Sequence, residues 1–370
     1  MNWQKFFQDV PDFRINRRKK HNLLDILVIS VCASICGADD FEDIALYGTQ
    51  KESFLRTFLE LPNGVPSHDT FNRVLKFLDK DAFADSLYRW SKEILSTLSE
   101  EYTQINIDGK TLRATAKSGH KKSGLCLLSA WVSDHKLILG QQKVASKSNE
   151  KTAVPDLLNS LDLKDSIVTI DAIACDVKNA DIITSKQGHY ILALKRAANR
   201  NNNKHIYQQV SERFTQVKSQ LPKNENVDFG SGRIETRTCY VENDLTLYDD
   251  LAPWKHLKSI IIIESKREMN NKISVETRFY LSDLALKPKD FNQYIRNHWS
   301  IENSLHWQLD VTFREDLQRT QTGNAPENLA IVRKLSLQLL NKVTDKESIK
   351  SRRKLAGWND QYLIKMLSNI

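Results

Sequence analysis

Apolar residues in the first hundred positions recur at helical spacing, and the elements they predict are short. The run Leu23 to Cys36 predicts one buried helix, and Phe41 to Leu59, with Ile44, Phe54, Leu55 and Phe58 on one side, predicts a second. Leu61-Pro62-Asn63-Gly64-Val65-Pro66 reads as a loop from its proline and glycine content. Ser67 then caps a helix running to Leu78, with Asp69 in a first turn that favours negative charge. Ala82 to Ser96 predicts another. Short helices around a tight loop fit a helix-turn-helix DNA reader with Ser67 to Lys76 as recognition helix, and equally a packing domain that touches no groove.

The period changes near Tyr102. Gln104-Ile105-Asn106-Ile107-Asp108 alternates polar and apolar residues and stops at an acid, and strand-like runs follow at Leu125 to Val132 and Lys136 to Val144. Ala153 to Leu161 reads as a helix with Pro155 in its first turn. Ser166 to Asp171 is a β-branched strand that also ends in an acid, followed by a helix (Val177 to Lys186) and a strand (His189 to Leu194). Three strands, helix, strand, helix, strand is the order of a mixed α/β sheet. From about residue 200 the pattern is interrupted. A polar stretch opened by Asn201-Asn202-Asn203 precedes antiparallel strands at Arg233 to Val241, His256 to Lys266 and Ser274 to Leu281. Helical spacing resumes at Asp290, runs past Leu309, and returns from Pro326 to Val343.

Composition narrows the class. Hydrophobic residues at 40% and charged residues at 27% suit a chain that buries a core rather than a disordered one. The net charge of +8, from 54 basic and 46 acidic side chains, favours a polyanionic partner. Five cysteines without a C-x-x-C pair fit reduced thiols and a cytoplasmic, nucleoid-associated location. The uncharged run Ile26 to Ala38 is shorter than the ~20 residues of a membrane span. Asp25 interrupts it and Asp39-Asp40 follow where a signal-peptide cleavage site would need small residues, so no membrane partner is expected.

The sharpest chemical feature is the pair of strands ending in Asp108 and Asp171. Ligands of open α/β sheets sit beyond the carboxyl ends of strands, so neighbouring strands would aim both acids at one site. Two close carboxylates repel unless a proton or cation lies between them, and Mg²⁺ suits such a site. Either Asp alone is equally readable as a turn former. The third feature is the stripe His298, Glu302, His306 and Asp310, spaced at i, i+4, i+8 and i+12 with Trp299 and Asn303 beside it. It lacks the H-E-x-x-H order of a zinc site. A solvated salt-bridge face is the plain alternative, against which Trp299 and Trp307 argue.

Several ordered blocks carry a resemblance. They are Gly37-Ala38-Asp39; Leu61 to Phe71; Ile107-Asp108-Gly109-Lys110-Thr111-Leu112-Arg113; Lys147-Ser148-Asn149-Glu150; Val168 to Ala172; Leu192-Ala193-Leu194-Lys195; His298 to Asn303; and Gly323 to Ala330. Through them nearly the whole chain resembles the DDE-type insertion-sequence transposases, in the group that includes the H-repeat-associated proteins. The sequence departs from that pattern at Ala174-Cys175-Asp176 and at Arg196 to Arg200. Ile295, His298 and Leu309 also stand where the wider family has Tyr, Arg and Lys.

The resemblance implies an RNase H-like mixed-sheet core with an inserted β-rich unit and an N-terminal helical domain. It divides the chain into residues 1–100 (helical, DNA-binding), 101–199 (first part of the core), 200–285 (insert) and 286–370 (helices completing the core). It implies the triad Asp108, Asp171 and Glu302 as catalytic residues and metal ligands, with Asp310 as the other candidate for the third ligand. Mg²⁺, or Mn²⁺ in its place, would clamp attacking and leaving oxygens during strand cleavage and strand transfer at the element ends. Lys110, Arg113, Lys195, Arg296, His298 and Asn303 are candidates for contact with DNA, and Arg17-Arg18-Lys19-Lys20 for unspecific affinity. The implied partners are double-stranded DNA, as terminal repeats and as target, and a second copy of the chain in the DNA complex. A metal-dependent nuclease that never joins strands, or a DNA-binding remnant, would share these residues.

Overall fold

The computed structural model describes residues 2–98, 102–116, 124–144, 150–195, 203–230, 232–270 and 272–368. Lys147, Ser148, Asn149 and Arg196 to Asn202 lie outside the described residues. Six helices open the chain: α1 (Trp3–Phe7), α2 (Leu23–Cys36), α3 (Phe41–Gln50), α4 (Glu52–Leu55), α5 (His68–Phe77) and α6 (Lys80–Leu95). Then come β1 (Thr103–Leu112), β2 (Leu125–Val132), β3 (Leu137–Lys143), α7 (Glu150–Ser160), β4 (Ser166–Ile170), α8 (Val177–Ser185) and β5 (His189–Leu194). After α9 (Asn203–Val217) four strands follow, β6 (Lys223–Gly230), β7 (Arg233–Glu242), β8 (Ser259–Met269) and β9 (Lys272–Ser282). The chain closes with α10 (Pro288–His298), two π-helical segments (Ile301–His306 and Gln308–Thr312), α11 (Ala325–Asn341), α12 (Ile349–Trp358) and α13 (Asp360–Leu367).

Among the described residues nine strands form one sheet in the order β3-β2-β1-β4-β5-β9-β8-β7-β6. β1 lies parallel to β4, and β4 parallel to β5, while every other neighbouring pair is antiparallel. The first five strands with α7 and α8 make an RNase H-like core. The strands after α9 extend the same sheet, because β9 pairs with β5. On one face Ile105, Ile107, Val168 and Ile170 pack with Leu157, Ile183 and Phe214 from α7, α8 and α9. On the other, Ile167, Ile191, Ile261 and Ile263 pack with Phe291 and Ile295 of α10. A third core joins α1, α2, α5 and α6 to α11 and α13.

Several expected elements differ. β1 does not stop at Asp108 but continues to Leu112, because Lys110 and Leu112 remain paired with β2. The helix expected over Phe41 to Leu59 breaks at Lys51, whose ψ of 16° leaves the helical region; its Nζ pairs with Asp360 at 2.7 Å. α7 starts at Glu150, so Pro155 lies inside the helix rather than in its first turn. Helix does not run unbroken from Asp290 past Leu309, since the hydrogen bonding widens to π after Ser300. β6, α1, α12 and α13 were not expected. β6 is an edge strand exposed along most of its length, so it carries no apolar alternation.

α11 is buried along nearly its whole length and ties the helices to the sheet. Gln338 Oε1 accepts from Ile138 N at 2.9 Å, and Lys334 Nζ donates to Ser129 Oγ and Gln141 Oε1 at 2.8 and 2.7 Å. At its start, Asn324 N and Asn328 Nδ2 donate to the carbonyls of Lys76 and Leu75, which α5 cannot satisfy within itself. Gly323 makes that approach possible: its φ is +57°, and a Cβ there would sit 2.6 Å from Lys76 O. Asp25 has the same role for the Leu61 to Pro66 loop, its buried Oδ2 accepting from Leu61 N at 3.1 Å.

Two stability predictions follow from this seam. Gly323→Ala forces both a disfavoured backbone and a clash with a carbonyl, so urea unfolding should show a loss of roughly 2 kcal/mol; unchanged stability would mean the α5–α11 joint is loose. Burial pushes the Lys334 ammonium down to about 8 from 10.5. Below pH 8 its buried charge costs stability in full. Between about 8 and 10.5 the unfolded chain holds a proton that the fold has shed, so stability rises with pH. Lys334→Met should lack that rise when the two proteins are unfolded side by side across this range.

Candidate active site

Alternate residues of β1 point to one face, and between Gln104 and Lys110 that face is wholly polar. Such a row in the middle of a sheet needs partners, because an unsatisfied buried polar group costs about 1–3 kcal/mol. α10 and the π-helical segments provide them in register. Gln104 Nε2 donates to Tyr294 O and to Asn106 Oδ1, each at 2.8 Å. Thr169, beside Asn106 on β4, donates to Asn106 Oδ1 at 2.6 Å, so its oxygen accepts from His298 Nδ1 at 2.7 Å. Asp108 faces Glu302 and His306, and Lys110 faces Asp310. The stripe therefore lies along β1, with His298 at the Asn106–Thr169 rung, Glu302 and His306 together at Asp108, and Asp310 at Lys110.

The parallel pairing of Ile107 with Ile170 sets Asp108 beside Asp171 at the end of β4. Asp108, Asp171 and Glu302 all line one pocket of about 440 Å³, with Lys195, Tyr207, Arg278 and Trp299 around it. Asp108, Glu302 and His306 offer ligand atoms that all lie within 4.8 Å of one another. His306 Nδ1 is 3.5 Å from Asp108 Oδ2 and 3.7 Å from Glu302 Oε2. Asp171 faces the pocket from outside that tight group, its Oδ1 accepting from the amide of Ala172 at 2.6 Å. Burial, followed by the negative charge of Glu302 and Asp171, pushes the Asp108 carboxyl up to about 8. Glu302 is held below its ordinary value, chiefly by His306 beside it, and its side chain is 53% exposed.

The donor set fits a hard divalent cation. Carboxylate oxygens crowd together with too little positive charge to balance them, and one of them is half-open to solvent. Asp310 does not line this pocket and turns instead to Lys110, its Oδ1 2.7 Å from Lys110 Nζ. Glu302 is the acid that faces the pocket.

The remaining residues singled out from the sequence are spread over several settings. Lys110 is buried among Asp310, Glu315 and Asp316 at 2.7, 3.0 and 3.3 Å, which leaves it no open side for a phosphate. Arg113 is exposed, with Asp316 at 3.4 Å. Lys195 is exposed at the pocket wall. His298 is half-buried, burial lowers its pKa to about 4, and its Nδ1 is hydrogen-bonded to Thr169. Arg296 is exposed and paired with Asp228 on β6. Asn303 is exposed in a neighbouring cleft. Sequence reasoning assigned no role to Thr169, Tyr207 or Arg278. Only Thr169 left a signal, as the polar residue two before Asp171 on the same strand face.

Two adjacent parallel strands and a returning helix thus bring three acids to one pocket of this RNase H-like fold. Family comparison agrees and is more specific. The transposase DDE domain matches residues 99–339, and the DDE_Tnp_1-associated domain matches residues 4–91. The chain belongs to the DDE-domain transposase family. It is 35% identical to the "Putative transposase YncI" of Escherichia coli O157:H7, over 97% of this chain and 93% of that protein. It is 33% identical to the "H repeat-associated putative transposase YhhI" of Escherichia coli strain K12, over 97% and 96%. The "Inactive transposase YbfQ" of the same strain is 42% identical over 18% of this chain and 77% of that protein. Family membership implies DNA as the partner and chemistry that uses a divalent metal. Among the described residues, no helix is long and apolar enough to cross a membrane.

His306 bridges two of the acids, so it sets how they present their oxygens. His306→Ala should weaken Mn²⁺ binding, read by electron paramagnetic resonance titration, by roughly 10- to 100-fold. Native affinity in that variant would mean the imidazole merely fills space.

Proposed function

We propose that this chain is the transposase of an insertion sequence, cutting DNA at the element ends and joining the freed strand to a target. The observation that carries the reading is the convergence of Asp108, Asp171 and Glu302 on one pocket. Mg²⁺, or Mn²⁺ in its place, would be held by these three carboxylates and would supply Lewis acidity to the scissile phosphate and to the attacking oxygen.

The protein's own groups have distinct tasks. Asp108 is fixed in mid-strand, paired with Ser129 of β2 and one residue beyond the last pairing of β1 with β4. Asp171 is held by the turn it caps. Glu302 rides on the π-helical segment, one turn from His306, whose Nδ1 lies 3.7 Å from its Oε2. Lys195 stands at the pocket rim as a partner for a phosphate oxygen, and Arg113 and Asn303 lie on open surface where DNA can run. Residues 1–100 serve as the DNA-binding helical region, with exposed Arg73 on α5 among its contacts. Residues 286–370 complete the core around the insert of 200–285. Two copies act together, because both element ends need handling at once, on DNA in the cytoplasm and nucleoid.

The test is a plasmid carrying element ends, incubated with Mg²⁺ and a target plasmid. Asp108→Asn, Asp171→Asn and Glu302→Gln should each remove cleavage by at least about a hundredfold while DNA binding persists. Native activity in the Glu302 variant would contradict the assignment of the third acid. Cut products without joined products would reduce the enzyme to a nuclease.

A further inference from the structure

The sheet face that α10 covers changes character beyond the end of that helix. Under α10 it is aliphatic, with Cys239, Ile261, Ile263 and Ile295 in contact. Further out, the same face of β7, β8 and β9 presents Arg233, Glu235, Arg237, Ser265, Arg267 and Arg278, one beside another by register. With Arg296 of α10 they line a cleft of about 840 Å³ that holds five arginines against two carboxylates, Asp228 and Glu235. Arg278, Tyr280 and Trp299 line both this cleft and the carboxylate pocket, so the two spaces share a wall.

The state of the arginines points to an anion. Arg267 and Arg233 share Glu235 at 3.3 and 3.8 Å, Arg296 pairs with Asp228, and Arg278 pairs with Glu276 at 2.8 Å. Arg237, between them, is only 8% exposed, its Nε has no hydrogen-bond partner, and no carboxylate pairs with it among the described residues. A buried guanidinium with an unfilled donor is costly unless something outside the chain completes it. Arg278 stacks at 4.7 Å on the ring of Trp299, which is 40% exposed and stands where the cleft meets the pocket. Arginine beside an accessible aromatic is suited to a nucleic-acid backbone with its bases close by. The opposite face of the same strands carries Ile234, Ile273 and Val275 instead.

We propose that this arginine face is a track for the phosphodiester backbone of the DNA flanking the cut, with Arg237 and Arg278 as its inner phosphate donors. It rests on the DNA-cutting function above and extends it by naming the surface that carries the substrate away from the carboxylates. Arginine forks grip phosphate oxygens in pairs, and the alternation along β7 brings such forks to one side of the strand.

The test uses the full chain without divalent metal and a labelled oligonucleotide of mixed sequence, as a single strand and as a duplex. Affinity is read by anisotropy across a salt series. Arg278→Gln and Arg237→Met should each weaken binding roughly fivefold or more and flatten the salt dependence by about 0.7–0.9 per lost phosphate contact. Lys266→Gln, on the opposite face, should bind as the native chain does. Loss in the single-strand arm alone assigns the track to an unpaired flank, and loss in the duplex arm assigns it to paired DNA. Unchanged affinity and salt slope in Arg278→Gln, in both arms, overturns the track even if Arg237→Met fails to fold. A native chain that binds neither probe overturns the DNA-cutting function itself.

Discussion

The polar face of β1 is the constraint that organises the rest of this protein. A central strand carrying Gln104, Asn106, Asp108 and Lys110 on one side cannot be covered by an ordinary apolar helix. It requires a partner whose polar groups meet each rung, and the segment from Tyr294 to Asp310 does so. The outer rungs fix the helix in register, Gln104 and Asn106 through neutral hydrogen bonds and Lys110 through its ion pair with Asp310. The rung at Asp108 is different: Asp171 at the end of β4 and Glu302 on the helix face it, and the His306 ring stands beside both Asp108 and Glu302. The fold is tight on both sides of an electrostatically unfinished point, and that point lies in the pocket.

This arrangement accounts for the π-helical stretch. Glu302 and His306 must face Asp108 while Asp310 reaches Lys110, and Ile301, Leu305 and Leu309 must stay in the core on the other side. Widened turns are one way to hold both sets in place, and they occur disproportionately at functional sites. α11 lies on the same sheet face, where its Lys334 and Gln338 bond to β2 and β3.

Much of this was legible in the sequence because periodicity reports burial. β2, β4, β5, α2 and α8 each bury a face and were expected near their observed bounds, and β1 was expected at its start but not beyond Asp108. β6 bears no such imprint, being exposed almost throughout, and α12 and α13 follow the last segment whose pattern was read. The acids were visible through local motifs. Their charge state was not, since it depends on which strands become neighbours. Lys110 shows the limit best: as sequence it is one more cation near an acid, and only the fold reveals three carboxylates enclosing it. Arg237 escaped for the converse reason, because burial without a partner cannot be read from a strand's composition.

The central claim is that residues far apart in sequence surround one cation. Fe²⁺ placed in the protein with ascorbate and peroxide breaks the backbone only near the bound metal, so the fragments report which segments lie together. The account predicts breaks close to residues 108, 171 and 302 in the same preparation, all suppressed by excess Mg²⁺. Breaks near one of these segments alone, or a pattern that Mg²⁺ leaves unchanged, would contradict it.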